Sequence, residues 1–181
     1  PISVELRNYR RDGEQFWNDL EIMPVRDDGG EVTHFLGFQR DVTERKRLER
    51  LLEQYKRVFQ AVDDPILILD RQGRVVKTNE SADTVFGTAG EIPAGIPGSE
   101  LFEGEQAAKF RTMSAAVRDG DRSRTVEFTT VGPDGRSTVF QFRFQWLGAT
   151  ERGDERIIVV SRDITQIREY QSRLSVLDRV L

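Results

Sequence analysis

The chain has 181 residues, with 27 Lys and Arg against 31 Asp and Glu, one histidine and no cysteine. A net charge of −4 argues against a nucleic-acid-binding face. Without cysteine there are no disulfides or thiolate metal sites, and a lone His34 leaves little from which to build a Ser-His-Asp triad or a multi-histidine metal site. No apolar run reaches membrane-spanning length, and no signal peptide is recognisable. The chain opens on Pro1 and runs directly into a strand pattern, which reads as a piece of a longer cytoplasmic protein.

Three strands are expected first, over about 2–10, 15–25 and 32–40, turning at Asp12-Gly13 and at Asp28-Gly29-Gly30, where glycine tolerates positive φ. Leu48, Leu51, Leu52, Tyr55, Val58, Phe59 and Val62 then recur at helical spacing and predict an amphipathic linker helix. "PILILD" (65–70) and "RVVKTN" (74–79) form a hairpin turning at Gly73, and Asn79 is placed to cap a short helix, "ESADTVF". Asp63-Asp64 punctuate the linker ahead of that hairpin. A loop rich in Gly and Pro covers 87–98, and a helix of about four turns ends near Gly120. Three more strands follow, over about 123–131, 137–147 and 155–162; "FQFRFQW", Phe140 to Trp146, alternates strictly, as a half-buried strand should. At the C-terminus Ile167, Tyr170, Leu174, Leu177 and Leu181 step alternately by three and four residues, a heptad seam.

The chain repeats itself. "DVTERKRLE" begins at Asp41 and "DITQIREYQ" at Asp163, 122 residues later (163 − 41). The same offset carries Asp12-Gly13 onto Asp134-Gly135 and Val4-Glu5-Leu6 onto Val126-Glu127-Phe128 without a gap, so 1–43 and 123–165 read as two copies of one three-strand unit. The second copy is preceded by a hairpin and helices that the first lacks. Asp41 with Glu44, and Asp163 with Gln166, have N-cap-to-N3 spacing, so each copy can start a helix where its last strand ends.

Period-two alternation places Ile2, Val4, Leu6 and Asn8 on one face of the first strand, Phe16, Asn18, Leu20 and Ile22 on one face of the second, and Phe35, Gly37 and Gln39 together on the third. Three amides thus stand on apolar faces, where each would cost about 1–3 kcal/mol without a partner. They point to a ligand offering donors and acceptors, or else to turn caps or buried water. Gly37 leaves room for a flat ring. Under the offset, Asn8 becomes Thr130, Asn18 Phe140, Leu20 Phe142, Ile22 Phe144, Gly37 Val159 and Gln39 Ser161. Bulk replaces amides, so the second interior is expected to be filled, or to hold a small apolar ligand. Trp17, Leu36 and Phe38 fall on the opposite face and predict an apolar outer patch for a helix or second subunit, and His34 on that face reads as a surface or interface residue.

This element order, with "D-[IV]-T" closing each copy, resembles the PAS fold, an α+β class with a five-stranded antiparallel sheet and helices on one face. The resemblance implies the C-terminal half of a PAS domain at 1–43, a linker helix at 44–61, a complete PAS domain at 62–165 and a signalling helix at 166–181. "NYRRDGEQFWNDLEIMPVRDDGGEVTHFLGFQRDVTE" resembles the flavin-binding LOV subfamily of blue-light sensors. In that family the amides at positions matching Asn8, Asn18 and Gln39 hydrogen-bond the flavin's polar edge; in this chain Leu20 and Gly37, which share their face by alternation, complete the expected cofactor wall. The resemblance therefore implies FMN in an intact parent domain. The family's reactive cysteine precedes these strands, and three strands offer one pocket wall, so weak or no flavin binding is expected of this segment itself.

"LSVLDRVL" is similar to the segment before the phospho-accepting histidine of haloarchaeal sensor histidine kinases, in keeping with an acidic chain whose lysines stand only at 46, 56, 77 and 109. The expected function is sensing and relay to a downstream kinase domain, with homodimerisation through the linker and C-terminal helices, no catalytic residues, no metal, and neither nucleic acid nor membrane as partner. The rivals are a small-ligand-binding PAS module and a PAS dimerisation scaffold of a transcription regulator.

Overall fold

A computed structural model describes residues 2–87, 90–131, 137–149 and 153–177. It divides into two compact units, Pro1–Val58 and Phe59–Leu181.

In the first unit β1 (Ile2–Tyr9), β2 (Gln15–Arg26) and β3 (Val32–Asp41) form an antiparallel sheet in the order β1-β2-β3, followed by α1 (Thr43–Ala61). The turns close as the glycines require: Gly13 (φ 88°) and Gly30 (φ 84°) adopt the left-handed backbone, and Asp27 Oδ1 accepts from the N–H groups of Gly29 and Glu31. The register sets Leu6 opposite Asn18, Asn8 opposite Phe16, Leu20 opposite Gln39 and Ile22 opposite Gly37. The other face carries Glu5, Trp17, His34, Leu36 and Phe38. The first turns of α1 lie against it, with Lys46 and Arg45 each 2.5 Å from Glu5 and Arg50 over the Trp17 ring. Further along, α1 buries no residue: Leu48, Leu51, Leu52, Tyr55 and Val58 are all exposed, as are Leu36 and Phe38.

The second unit begins with β4 (Ile66–Asp70) and β5 (Val75–Thr78), then α2 (Glu80–Phe86), a 3-10 turn (Gly98–Leu101) and α3 (Gly104–Arg118). It closes with β6 (Ser123–Val131), β7 (Ser137–Ala149), β8 (Glu155–Asp163) and α4 (Thr165–Leu177). Its five strands are antiparallel in the order β5-β4-β8-β7-β6. Leu67 and Leu69 of β4, Phe110 and Val117 of α3, and Phe128, Phe142, Phe144 and Val159 of the sheet form the core. Asn79 is wholly buried: its Oδ1 accepts from Ala82 N–H, capping α2, and from Ile66 N–H, while its Nδ2 donates to the carbonyls of Val62 and Asp64. One capping residue therefore also fixes where the linker ends and the sheet begins. The 3-10 turn just past the expected loop carried no periodic signal, being a single turn. The turn expected at Asp134-Gly135, the side chains of Leu174 and Leu177, and Leu181 lie outside the described residues. Among the described residues no helix is long and apolar enough to cross a membrane.

Candidate functional site

Because β1, β2 and β3 pair in continuous register over this stretch, Asn8, Asn18, Leu20, Gly37 and Gln39 all project from one face of the first sheet. Their burial is graded. Asn18, on the central strand between Leu6 and Asp41, is 1% exposed, and among the described residues neither its amide nitrogen nor its oxygen has a hydrogen-bond partner. Asn8 is half-buried and its Oδ1 accepts from Tyr9 N–H at 2.9 Å, so one of the three amides does meet local backbone. Gln39, on β3, is exposed, as is every residue of that strand. A Cβ at Gly37 would meet nothing within 4 Å. This face thus holds a buried donor and acceptor without partners at Asn18 and, further along at Gly37, a clear space. A planar ring with amide-like groups on one edge, such as a flavin, fits that set.

The second sheet answers the same positions differently. Phe142, Phe144, Val159 and Ser161 are wholly buried and Phe140 is nearly so. Ring centroids lie 4.6 Å apart for Phe128–Phe142, 4.9 Å for Phe110–Phe144 and 5.3 Å for Phe102–Phe142, within the span at which aromatic pairs attract beyond their burial. The phenylalanine side chains occupy the face. Ser161, in the place of Gln39, retains a buried hydroxyl without a partner among the described residues.

Where each sheet meets its helix, the two copies agree atom for atom. Thr43 N–H donates to Asp41 Oδ1 at 2.9 Å, and Thr43 Oγ1 accepts from Trp17 N–H at 2.9 Å. In the second copy Thr165 N–H donates to Asp163 Oδ1 at 2.8 Å, and Thr165 Oγ1 accepts from Val139 N–H at 2.9 Å. Val42 and Ile164 likewise donate their N–H groups to Trp17 and Val139 carbonyls. This corrects the expected Asp41–Glu44 and Asp163–Gln166 capping boxes. Each aspartate sits one residue further out and holds the first helical N–H, while the threonine hydroxyl ties the helix to the neighbouring strand. Glu5 pairs with Lys46, and Glu127, 122 residues on from Glu5, pairs with Arg168, 122 on from Lys46. The repeat itself was the signal that could have found these pairs, since both positions keep their charge.

Hydrogen bonds from the Thr43 side chain and backbone, then Arg10, hold the Asp41 carboxyl below the usual carboxylate range. Lys46 and then Arg45 do the same for Glu5. The Arg10–Asp41 pair belongs to the first copy, since position 132 is glycine.

A PAS fold family model matches residues 59–169, and a PAS domain model matches residues 1–44. The chain is 32% identical over 120 residues to the Bacterioopsin transcriptional activator of Halobacterium salinarum, a match covering 65% of this chain and 18% of that protein. It is 45% identical over 62 residues to a blue-light-activated histidine kinase of Rhizobium johnstonii, covering 34% of this chain and 18% of that protein. The chain thus spans under a fifth of the length of these curated relatives. Among solved structures, an RNA-binding Light-Oxygen-Voltage receptor aligns at a TM-score of 0.56 and 11% identity, over 99% of this chain and 82% of that one. The PAS domain of a Colwellia psychrerythraea protein aligns at 0.52 and 21%, over 64% and 98%. At these identities the likeness is one of fold.

Proposed function

The chain belongs to the PAS family, and on that premise we propose that it is a sensory relay segment of a longer cytoplasmic signalling protein, its first unit the flavin-facing half of a blue-light sensor and its second a PAS domain that passes the signal to an output helix. The observation that carries this reading is Asn18: a fully buried amide with donor and acceptor both open, on the face that also holds Asn8, Leu20, Gly37 and Gln39. A bound FMN would supply blue-light absorption and a ring edge whose hydrogen bonding changes on excitation. This chain's residues do the rest. Asn18 and Asn8 orient the ring edge, Leu20 and Gly37 give it a wall, and Gln39 stands two residues before Asp41 on β3. A reorientation at Gln39 therefore reaches, through Asp41, the N–H of Thr43, the residue whose hydroxyl fastens α1 to β2.

No catalysis is assigned to this segment; reaction chemistry belongs to the output. The similarity of the first unit's sequence to blue-light LOV sensors, and the relatives named blue-light-activated histidine kinase, favour a kinase output. The longer match to a transcriptional activator supports a second reading, in which the same relay drives a transcription regulator. In either case the exposed stripes of α1 and of Ile167 and Tyr170 on α4 pair with those of a second copy.

The test is the visible spectrum of a longer protein that includes a complete first domain, purified in the dark and then lit. A flavin band that changes on illumination is expected. Its absence, or a band indifferent to light, overturns the reading. Gln39→Leu should keep the flavin and blunt the light response; a response equal to the unaltered protein's removes Gln39 from the relay.

A further inference from the structure

A cavity of about 270 Å³ opens in the second unit where β4 turns into β5, walled by that hairpin, the 3-10 turn and α3. This is many times the share of one water molecule and close to the lower end for small-molecule pockets. Its lip is pinned. Gly98 N–H donates to Gly73 O at 2.9 Å, Val75 N–H to Ile96 O at 2.8 Å, and Gly95 N–H to Val75 O at 2.7 Å. A Cβ at Gly98 would stand 2.9 Å from a Phe110 ring carbon, so only glycine lets the turn settle this closely over that ring.

One polar group inside is under-employed: Ser99 is 8% exposed and, among the described residues, its hydroxyl has no hydrogen-bond partner, while the Gln72 side chain stands exposed at the rim. Three arginines, Arg71, Arg111 and Arg118, line the cavity. Arg71 pairs with Glu155 at 3.3 Å and Arg118 with Asp119 at 2.8 Å, while Arg111 has no carboxylate within ion-pair distance among the described residues. Two carboxylates against three arginines leave one positive charge uncompensated, and the floor beside it is the apolar edge of Phe110 and Pro97.

We propose that this cavity binds a small organic monocarboxylate, with its carboxylate on Arg111 and the Ser99 hydroxyl and its apolar part against Phe110 and Pro97. One net positive charge suits a monoanion, and a planar guanidinium suits a carboxylate. The site is built from residues of the second unit alone and stands or falls independently of flavin binding. It also touches the relay: Glu155, which holds Arg71, is the first residue of β8, whose last residue is Asp163.

The test is a ¹⁵N NMR titration of the full chain with sodium acetate, benzoate and 3-phenylpropionate, with inorganic phosphate and benzylamine for comparison, at constant ionic strength. At least one carboxylate should shift the amides of Gln72, Gly73, Gly98 and Ser99 in a saturable way. Arg111→Gln should weaken that binding about tenfold, with the rest of the spectrum unchanged because Arg111 is exposed; Ser99→Ala should weaken it less. Non-saturating shifts with all three carboxylates, binding indifferent to Arg111→Gln, or phosphate or benzylamine bound as tightly at the same amides would each overturn the proposal.

Discussion

Leu20 and Phe142 occupy the same place in two copies of one three-strand sheet, each on the central strand and each facing the side that its domain would enclose. Leu20 is half-buried, beside an amide with no partner and a glycine with open space above it. Phe142 is wholly buried among the rings of Phe86, Phe102 and Phe128. The hairpin register and the aspartate–threonine junction are common to both copies, so neither depends on what the face carries. The comparison teaches that this scaffold separates two tasks. Turns, strand pairing and the helix junction fix the shape, and the face decides between packing a core and leaving a place for something else.

Truncating the shared position in each copy should break the symmetry most. Phe142→Ala should destabilise the second unit by about 3–5 kcal/mol, a core phenylalanine's usual loss. Leu20→Ala should cost the first unit no more than about 1 kcal/mol, because its side chain is only partly removed from water. Each unit has one tryptophan, Trp17 and Trp146, so urea unfolding followed in Trp17→Phe and Trp146→Phe backgrounds reads the units separately. Equal losses would mean that the two faces are alike.

Exchanging chemistry across the copies should give opposite signs. Asn18→Leu removes a buried amide that has no partner and should stabilise the first unit by about 1–3 kcal/mol, while abolishing flavin uptake in the longer protein. Phe140→Asn places an amide among rings and should destabilise the second unit. A destabilising Asn18→Leu would show that this amide is already satisfied.

Much of this was legible in the residues. The strands, the Asn79 cap and the repeat follow from alternation, turn glycines and one constant offset, and the filling of the second face follows from Phe140, Phe142 and Phe144 alternating on one strand. The placement of Asn8, Asn18 and Gln39 on one face was equally legible, because period two is a rigid rule once the strand is recognised. Their unequal burial was not, since it depends on which strand is central and which is an edge. Nor could spacing alone distinguish an N-cap from the residue before it, and so Asp41 was assigned to the wrong turn position. The Arg111 cavity was invisible: its residues come from three separate segments, joined only when Gly98 packs on Phe110.

The junctions should respond alike where the faces respond differently. Thr43→Val and Thr165→Val each leave a strand N–H, that of Trp17 or Val139, without its acceptor, and each should cost about 1 kcal/mol. Hydrogen exchange should quicken at those two amides by similar factors. A change confined to one copy would mean that only one of the two helices is fastened this way.

Acid should separate the junctions again, by the smallest effect. Asp41 and Glu5 are both held below their ordinary carboxyl values, Asp41 by Thr43 first and Arg10 after, Glu5 by Lys46 first and then Arg45. A depressed folded-state value means that the stabilisation is fully present above the unfolded-chain pKa, near 4, and is lost as pH falls through the lower folded-state value. The first turn of α1 should therefore stay on its sheet at pH 4 and release only in stronger acid, followed by the Trp17 indole resonance. Both groups are exposed, so salt should weaken the effect. Arg10→Gln should move this release, a handle that the second copy lacks because position 132 is glycine. A release unmoved by Arg10→Gln would leave Arg10 no part in holding the helix.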